Sequence, residues 1–103
     1  MTIVTVFRSR LKPGVDNEYQ EVAREMSDLV HRMDGFLDEK FFTSSDGERV
    51  TIVRFADWKS HRAWAEQPDH VKAQHRGRAE LYSWYDISVS EETYCRKFES
   101  PRQ

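Results

Sequence analysis

The sequence predicts an α+β sandwich in which two helical segments cover one face of a four-stranded antiparallel sheet. Segments with strand and helix periodicity follow one another in the order β-α-β-β-α-β, and an Asp46-Gly47 pair marks a tight hairpin between the second and third strands. No linker along the chain is long enough to separate two domains. This order is typical of a ferredoxin-like fold, so we predict a single domain over residues 1–103, with a C-terminal tail from about residue 90.

The first half of the chain contains a strand followed by a long helix. Ile3–Leu11 alternates with apolar side chains on both faces, which predicts a strand covered on both sides. Apolar residues then recur at 3.6-residue spacing over Tyr19–Met33. Asp16 or Asn17 is the candidate N-cap of this helix, and Gly35 is the candidate stop signal.

The second half contains a hairpin, an interrupted helix and a last strand. Phe36–Thr43 and Arg49–Phe55 flank the Asp-Gly turn and form the predicted hairpin. Asp57 or Ser60 is the candidate cap of a short helix that Pro68 must end, because proline lacks the backbone N–H that a helix needs. Leu81–Val89 is the fourth strand. Its alternation predicts that Tyr85, Ile87 and Val89 share one face and that Tyr82 and Trp84 share the other.

Composition and charge narrow the functional class. The 103 residues are 38% hydrophobic and 33% charged, with a formal net charge of -2 and a single cysteine, Cys95. The interspersed charges provide no basic patch for nucleic acid, and no apolar run approaches the ~18 residues of a membrane-spanning helix. One cysteine excludes an internal disulfide. We therefore expect a cytoplasmic domain with no nucleic-acid partner and no membrane anchor.

Apolar side chains on both faces of the strands indicate a second chain. Phe7 lies on one face of the first strand, and Val4 and Val6 lie on the other. Helices on one side of the sheet cover only one face, and exposing a large apolar face to water costs about 25 cal/mol per Å². We predict a homodimer in which two sheets pack face to face; the alternative is a monomer with an unusually apolar open sheet.

The interrupted helix carries the candidate catalytic side chains. Val71, His75 and Ala79 are spaced to share one stripe, which predicts that His75 points into the protein, whereas His70 lies near the start of a helix that Asp69 begins. A neutral histidine is a suitable base for a phenol, because its ordinary pKa near 6.5 leaves the proton-accepting form abundant at pH 7. The candidate catalytic residues are therefore His75 and His70, with Trp64 on the pocket wall.

Aromatic residues on the strands suggest the ligand. Phe7, Phe41, Phe55 and Trp84 are candidate substrate-binding residues, because whichever of them face the helices form an apolar pocket suited to a flat aromatic molecule. The chain has no Gly-rich phosphate loop, no CxxC, and no HExxH or GxSxG pattern. A metal site would need histidines and a carboxylate from separate elements to converge, and we predict none.

Several short motifs resemble those of the antibiotic biosynthesis monooxygenase (ABM) domains. They are the junction Met33-Asp34-Gly35-Phe36-Leu37, the turn Asp46-Gly47-Glu48, and Trp64 followed by Pro68, His70 and Gly77-Arg78 before an aromatic last strand. The resemblance implies a dimeric α/β barrel. It also implies one of three activities: a cofactor-independent oxygenase acting on polycyclic phenols and quinones, a heme-degrading oxygenase of the IsdG type, or no defined activity.

The heme-degrading members of this family have three site residues that can be compared with this sequence. They use an asparagine on the first strand, a tryptophan on the second helical region and an axial histidine after it; here Phe7, Trp64 and His75 stand at or near those positions. Our leading hypothesis is a monooxygenase, an oxidoreductase that oxidises an electron-rich aromatic or quinol with molecular oxygen and without metal or flavin. The alternatives are a heme-binding or heme-degrading protein with His75 as axial ligand, and a non-catalytic dimer that binds a small molecule.

Overall fold

The four strands form one antiparallel sheet in the order β2-β3-β1-β4, with all helices on one face. The computed structural model describes residues 1–101. Its elements are β1 (Ile3–Leu11), α1 (Asp16–Val30), β2 (Phe36–Thr43), β3 (Arg49–Phe55), α2 (Trp58–Ala65), α3 (Pro68–Arg76), a π turn (Gly77–Leu81) and β4 (Tyr82–Glu91). This order confirms the predicted β-α-β-β-α-β sandwich with an interrupted second helix.

The register decides which side chains face the helices. Phe7 on β1 pairs with Thr51 on β3 and with Ile87 on β4, so these three residues lie in one row across the sheet. Because strand side chains alternate, every second residue from this row faces the helices. We call this side of the sheet the inner face and the opposite side the outer face.

A bulge changes the face of one aromatic residue on β4. Arg10 pairs with Trp84 and Leu11 pairs with Tyr82, so Ser83 is an extra residue opposite the Arg10–Leu11 step. The Ser83 hydroxyl donates to the Arg10 carbonyl over 3.1 Å. The prediction that Tyr82 and Trp84 share a face is therefore wrong: Tyr82 lies on the inner face.

Local signals explain where the interrupted helix begins and ends. Of the two candidate caps, Asp57 is the one that caps α2: its side chain accepts a hydrogen bond of 2.8 Å from the Ser60 backbone N–H. The restart is different from the prediction, because α3 begins at Pro68 rather than at Asp69. Proline suits the first helical position, where no N–H is needed, and the Gln67 side chain accepts the next two backbone N–H groups at 2.7 and 2.9 Å.

Gly35 is required by a close approach rather than by the end of α1. The helix already ends at Val30, and Gly35 leads into β2 with φ of 80°. Its carbonyl accepts the Ala56 N–H over 2.7 Å, and a Cβ atom at this position would lie 1.9 Å from the Ser60 hydroxyl oxygen. Glycine therefore lets the start of β2 pack directly on the start of α2.

The hydrophobic core is small and lies on the inner face. Val30, Phe55 and Trp64 form its buried centre, against which Met26, Leu29, Met33, Phe36 and Val53 pack. On the outer face Val6 and Ile52 are only half-buried and Phe42 is exposed. No element of residues 1–101 covers this outer face. The tail after Glu91 has no regular structure up to residue 101 and exposes Tyr94 and Phe98.

The helices of residues 1–101 are all too short or too polar to cross a lipid bilayer.

Candidate active site

A cavity of about 420 Å³ lies between the inner face of the sheet and the helices. All four strands contribute to its floor, and α1, α2, α3 and the π turn form its walls. The lining is largely apolar and aromatic. Most of its polar groups fall into three sets: the histidines, a carboxylate with a serine, and an arginine with tyrosines; the others are Thr5, Thr51 and Gln74. A cavity with this composition is typical of a site for a small, mostly apolar ligand.

His70 and Trp64 form a stacked pair on the cavity wall. Their ring centroids lie 4.0 Å apart and their planes differ by 13°. His70 Nδ1 lies 2.9 Å from the Trp64 carbonyl oxygen, and because a carbonyl only accepts, Nδ1 carries the proton and donates it. Gln74 Nε2 lies 3.4 Å from the same nitrogen, and because Nδ1 carries its proton it cannot accept a hydrogen bond from this amide. This tautomer leaves Nε2 as the basic nitrogen.

Burial keeps His70 neutral. Loss of water around the ring lowers the pKa of His70 below its ordinary value of 6.5, and the hydrogen bond to the Trp64 carbonyl opposes this effect only in part. The proton-accepting form is therefore the dominant one at neutral pH.

His61 is a second half-buried histidine on the same cavity. It extends from α2, and its ring meets Phe55 and Trp58 edge to face, at centroid distances of 6.1 and 5.6 Å. Burial, with a smaller contribution from the charge of Arg62, lowers the pKa of His61. The cavity thus has two neutral histidines.

A group of aromatic side chains closes the cavity at the β4 side. Tyr82 meets Phe7 at 5.4 Å and Tyr19 at 6.0 Å between ring centroids, and Tyr85 meets Phe7 at 5.3 Å. Burial raises the pKa of the Tyr82 phenol well above its ordinary value, so its hydroxyl stays protonated. Gly77 permits this packing, because a Cβ atom there would lie 2.6 Å from the Tyr82 ring.

Two further polar groups lie on the cavity lining. The carboxylate of Glu39, on β2, accepts a hydrogen bond from the Ser27 hydroxyl of α1. The guanidinium of Arg78, in the π turn, lies 3.5 Å from the Tyr85 hydroxyl. These two groups give the cavity an acidic and a basic side.

The structure brings together five of the seven predicted site residues. His70, Trp64, Phe7, Phe41 and Phe55 all line the cavity. Trp84 does not. Side chains alternate along a strand, and because the neighbouring Tyr85 faces inward, Trp84 lies on the outer face. There it pairs with Arg10, and its ring lies 6.0 Å from the Arg8 guanidinium.

His75 also lies outside the cavity. Its side chain is exposed, so the prediction that it points into the protein is wrong. The inward row of α3 consists of His70, Ala73 and Gln74, at the spacing of three and four residues that a helix requires. Ala79 misled the prediction, because the chain has changed to a π turn at Gly77 and Ala79 is no longer in phase with Val71.

The exposed position of His75 argues against the heme alternative. An axial ligand must face the bound group, and His75 does not face this cavity. Phe7 lines the floor at the position where heme-degrading members have asparagine. The residues assigned to a heme site from the sequence therefore do not fit one here.

Sequence reasoning missed several lining residues. None of the following cavity residues is among the site residues predicted from the sequence: Tyr19, Tyr82, Tyr85, Gln74, Ser27, Glu39 and Arg78. Alternation along β4 was a usable signal for Tyr85, since it shares a face with Ile87 and Val89. Glu39 has the same kind of signal, because it is two residues from Phe41 on one strand.

Comparison with known proteins assigns the family. The sequence profile of the antibiotic biosynthesis monooxygenase domain matches residues 2–76. The chain belongs to the antibiotic biosynthesis monooxygenase family. This ABM match covers β1 through α3, so it includes His70 and Trp64 and ends one residue before the π turn. A comparison with curated protein sequences finds no significant match.

Solved structures show the same ABM fold. A variant of SnoaB, a cofactor-independent oxygenase from Streptomyces nogalater, superposes with a TM-score of 0.78 at 18% identity, covering 91% of this chain and 95% of SnoaB. Rv0793 from Mycobacterium tuberculosis gives 0.83 at 14% identity, covering 94% and 100% of the two chains. A conserved protein from Methanosarcina mazei Go1 gives 0.81 at 12% identity, covering 90% and 94%. At these identities the likeness establishes the fold.

Proposed function

We propose that this ABM-family chain is a monooxygenase that oxidises an electron-rich aromatic or quinol with molecular oxygen, without metal or flavin, and that His70 is its base. The observation that carries the proposal is the stacked pair, in which a half-buried neutral imidazole is held in one tautomer by the Trp64 carbonyl. SnoaB, which has the same fold, is a cofactor-independent oxygenase, and this supports the assignment of reaction type.

The chemistry uses electrons of the substrate itself. His70 Nε2 removes a proton from an acidic methylene of a phenolic ring system, and the resulting carbanion gives one electron to O2. The substrate radical and superoxide then combine into a carbon-bound peroxide. His70 returns its proton to the outer oxygen, the O–O bond breaks, the remaining C–H proton is lost, and water leaves. One methylene and one O2 thus become one carbonyl and one water, a mass increase of +14 in the substrate.

The cavity walls suit the other requirements of this reaction. Flat apolar side chains, chiefly Phe7, Phe55 and Trp64, bury the ring system and exclude water, which favours electron transfer over unproductive proton exchange. The neutral His61 and the protonated Tyr82 are available to donate or accept hydrogen bonds at the edges of the ring.

A homodimer through the outer face is part of the proposal. Val6 and Ile52 form the centre of this face, and ion pairs lie around it: Arg8 with Glu48 at 2.6 Å, and Arg54 with Asp38 at 3.4 Å. Packing two such faces together would remove the half-buried strand side chains from water and leave the charged groups at the rim.

The test compares two histidines of the same helix. His70→Phe keeps a flat ring against Trp64 but removes the base, and His75→Phe makes the same change outside the cavity. With anthrone as probe substrate, we expect formation of the +14 product, followed by mass spectrometry, to fall at least about a hundredfold in His70→Phe and less than about twofold in His75→Phe. Equal activity of the two variants would remove His70 from the mechanism. Absence of product with the unchanged chain, across anthrone and related phenolic compounds with an acidic methylene, would contradict the monooxygenase assignment and favour the small-molecule-binding alternative.

A further inference from the structure

We infer that the substrate of this cavity is bipolar, with a hydrogen-bond donor at one end that Glu39 binds and an anionic group at the other end that Arg78 binds. The inference concerns the same site as the proposed function and rests on it for the identity of the bound molecule as substrate. It adds the substrate class: a flat aromatic with a hydroxyl or amino group at one end and a carboxylate or phenolate at the other.

Glu39 is the acidic end. Its side chain is only 10% exposed, and it lines the cavity. Ser27 is its one hydrogen-bond donor among residues 1–101. His31 Nδ1 is 3.7 Å away and directs its proton instead to the Ser27 carbonyl oxygen at 2.7 Å. A carboxylate has about four acceptor positions, so Glu39 retains capacity for a donor from a ligand.

Arg78 is the basic end. Its contact in the described chain is the Tyr85 hydroxyl at 3.5 Å, and no carboxylate of residues 1–101 lies within ion-pair distance of it. Arg76, two residues earlier, is different: it pairs with Glu18 at 3.3 Å and with Glu80 at 3.2 Å. A guanidinium with five donors and one weak contact is suited to bind a carboxylate or phenolate at the cavity mouth.

The sheet register places these ends at opposite corners of the floor. Glu39 lies in a row with Val53, Thr5 and Val89, three strand spacings or ~14 Å across. Tyr85, which contacts Arg78, is four residues from Val89 along β4, or ~13 Å. The diagonal between the backbone positions of Glu39 and Tyr85 is therefore ~19 Å, before the side chains reach inward.

Two of the three side chains between these corners, Phe7 and Ile87, are apolar. Thr51, Phe7 and Ile87 form the next row between the two corners, and all three line the cavity. Rings lying over Phe7 would direct one substituent toward Glu39 and the opposite one toward Arg78. A molecule with a polar group at only one end would leave a charged side chain without a partner and bind less tightly.

The experiment measures affinity for three naphthalenes by calorimetry at neutral pH. The probes are 6-hydroxy-2-naphthoate, with hydroxyl and carboxylate at opposite ends, 2-naphthoate and 2-naphthol. We expect the first to bind at least about tenfold more tightly than either of the others. Arg78→Gln should weaken both carboxylates about tenfold and leave 2-naphthol unchanged, and Glu39→Gln should weaken only the two hydroxyl probes.

Two surface variants of α1 serve as matched controls. Arg24→Gln and Glu21→Gln make the same changes at exposed positions outside the cavity and should alter no affinity. Equal affinities of the three probes, no binding of any probe, or losses in Arg78→Gln no larger than in Arg24→Gln would overturn the inference. Arg78 is exposed, so its variant remains informative even if Glu39→Gln fails to fold.

Because these probes do not react, the outcome is independent of oxygenation. Discrimination among the probes without +14 product from any substrate would leave the bipolar site standing and contradict the proposed function. Formation of the +14 product without discrimination among the probes would support the proposed function and contradict the bipolar site.

Discussion

The imidazole of His70 lies parallel to the indole of Trp64, 4.0 Å away, and donates its Nδ1 proton to the carbonyl of the same tryptophan. Trp64 is itself in the buried core with Val30 and Phe55. The candidate base is therefore attached to the buried core, although it belongs to a helix without any buried residue. The Trp64 ring determines the position of the His70 imidazole, and the Trp64 carbonyl determines its tautomer.

The pH dependence of turnover should report the lowered pKa of His70. Only the neutral imidazole accepts a proton, so we expect kcat/KM to fall in acid with a midpoint below the ordinary histidine pKa of about 6.5. The profile is measured from initial rates of substrate oxidation in buffers of constant ionic strength. An acid limb with its midpoint above 6.5 would show that another group, or the substrate, controls the reaction.

The two cavity histidines, His61 and His70, should both make the folded chain less stable as the pH falls. Burial lowers the pKa of His61 and of His70 in the folded chain, so between that lower pKa and 6.5 the unfolded chain binds more protons. The free energy of unfolding should therefore decrease as the pH falls from about 7.5 to about 5.5. Denaturant titrations of the unchanged chain and of His70→Phe measure this slope, which should be smaller in the variant. An unchanged slope would contradict the lowered pKa of His70.

A pair of glycine substitutions should separate backbone strain from a steric clash. Gly14 and Gly35 have nearly the same φ, 81° and 80°, but a Cβ at Gly14 meets no atom within 4 Å, whereas at Gly35 it meets the Ser60 hydroxyl at 1.9 Å. We expect Gly14→Ala to cost about 1 kcal/mol of unfolding free energy, and Gly35→Ala a further ~1–3 kcal/mol. Urea unfolding of the two variants tests this, and equal losses would show that Ser60 moves aside freely.

Charge placed on the outer face should separate the proposed dimer. Val6 and Ile52 pair across β1 and β3 at the centre of this face, so Val6→Asp or Ile52→Asp would bury a carboxylate in the interface. We expect sedimentation equilibrium to show a dimer for the unchanged chain and a monomer for either variant. Gln20→Asp, on the exposed side of α1, is the control and should remain dimeric. A monomeric unchanged chain would contradict the proposed interface.

Much of the fold was predictable because the responsible signals are local. The alternation over Ile3–Leu11, the Asp46-Gly47 turn and the Asp57 cap each act within a few residues, and each element formed where its pattern indicates. Pro68 interrupts the second helix for the same kind of reason, since a missing N–H is a property of the residue itself. The aromatic floor, with Phe7, followed from strand periodicity once the sheet order was known.

The active-site assignment depended on the tertiary structure. Whether His70 or His75 faces the cavity is a matter of helix phase, which is set by the start of α3 at Pro68 and by the π turn after it. Tyr82 reaches the inner face only because the bulge at Ser83 shifts the alternation of β4. Sequence alone determined the order and type of the elements, because these follow from neighbouring residues. Tertiary packing decided which polar groups face the cavity, because that depends on contacts between residues far apart in the chain.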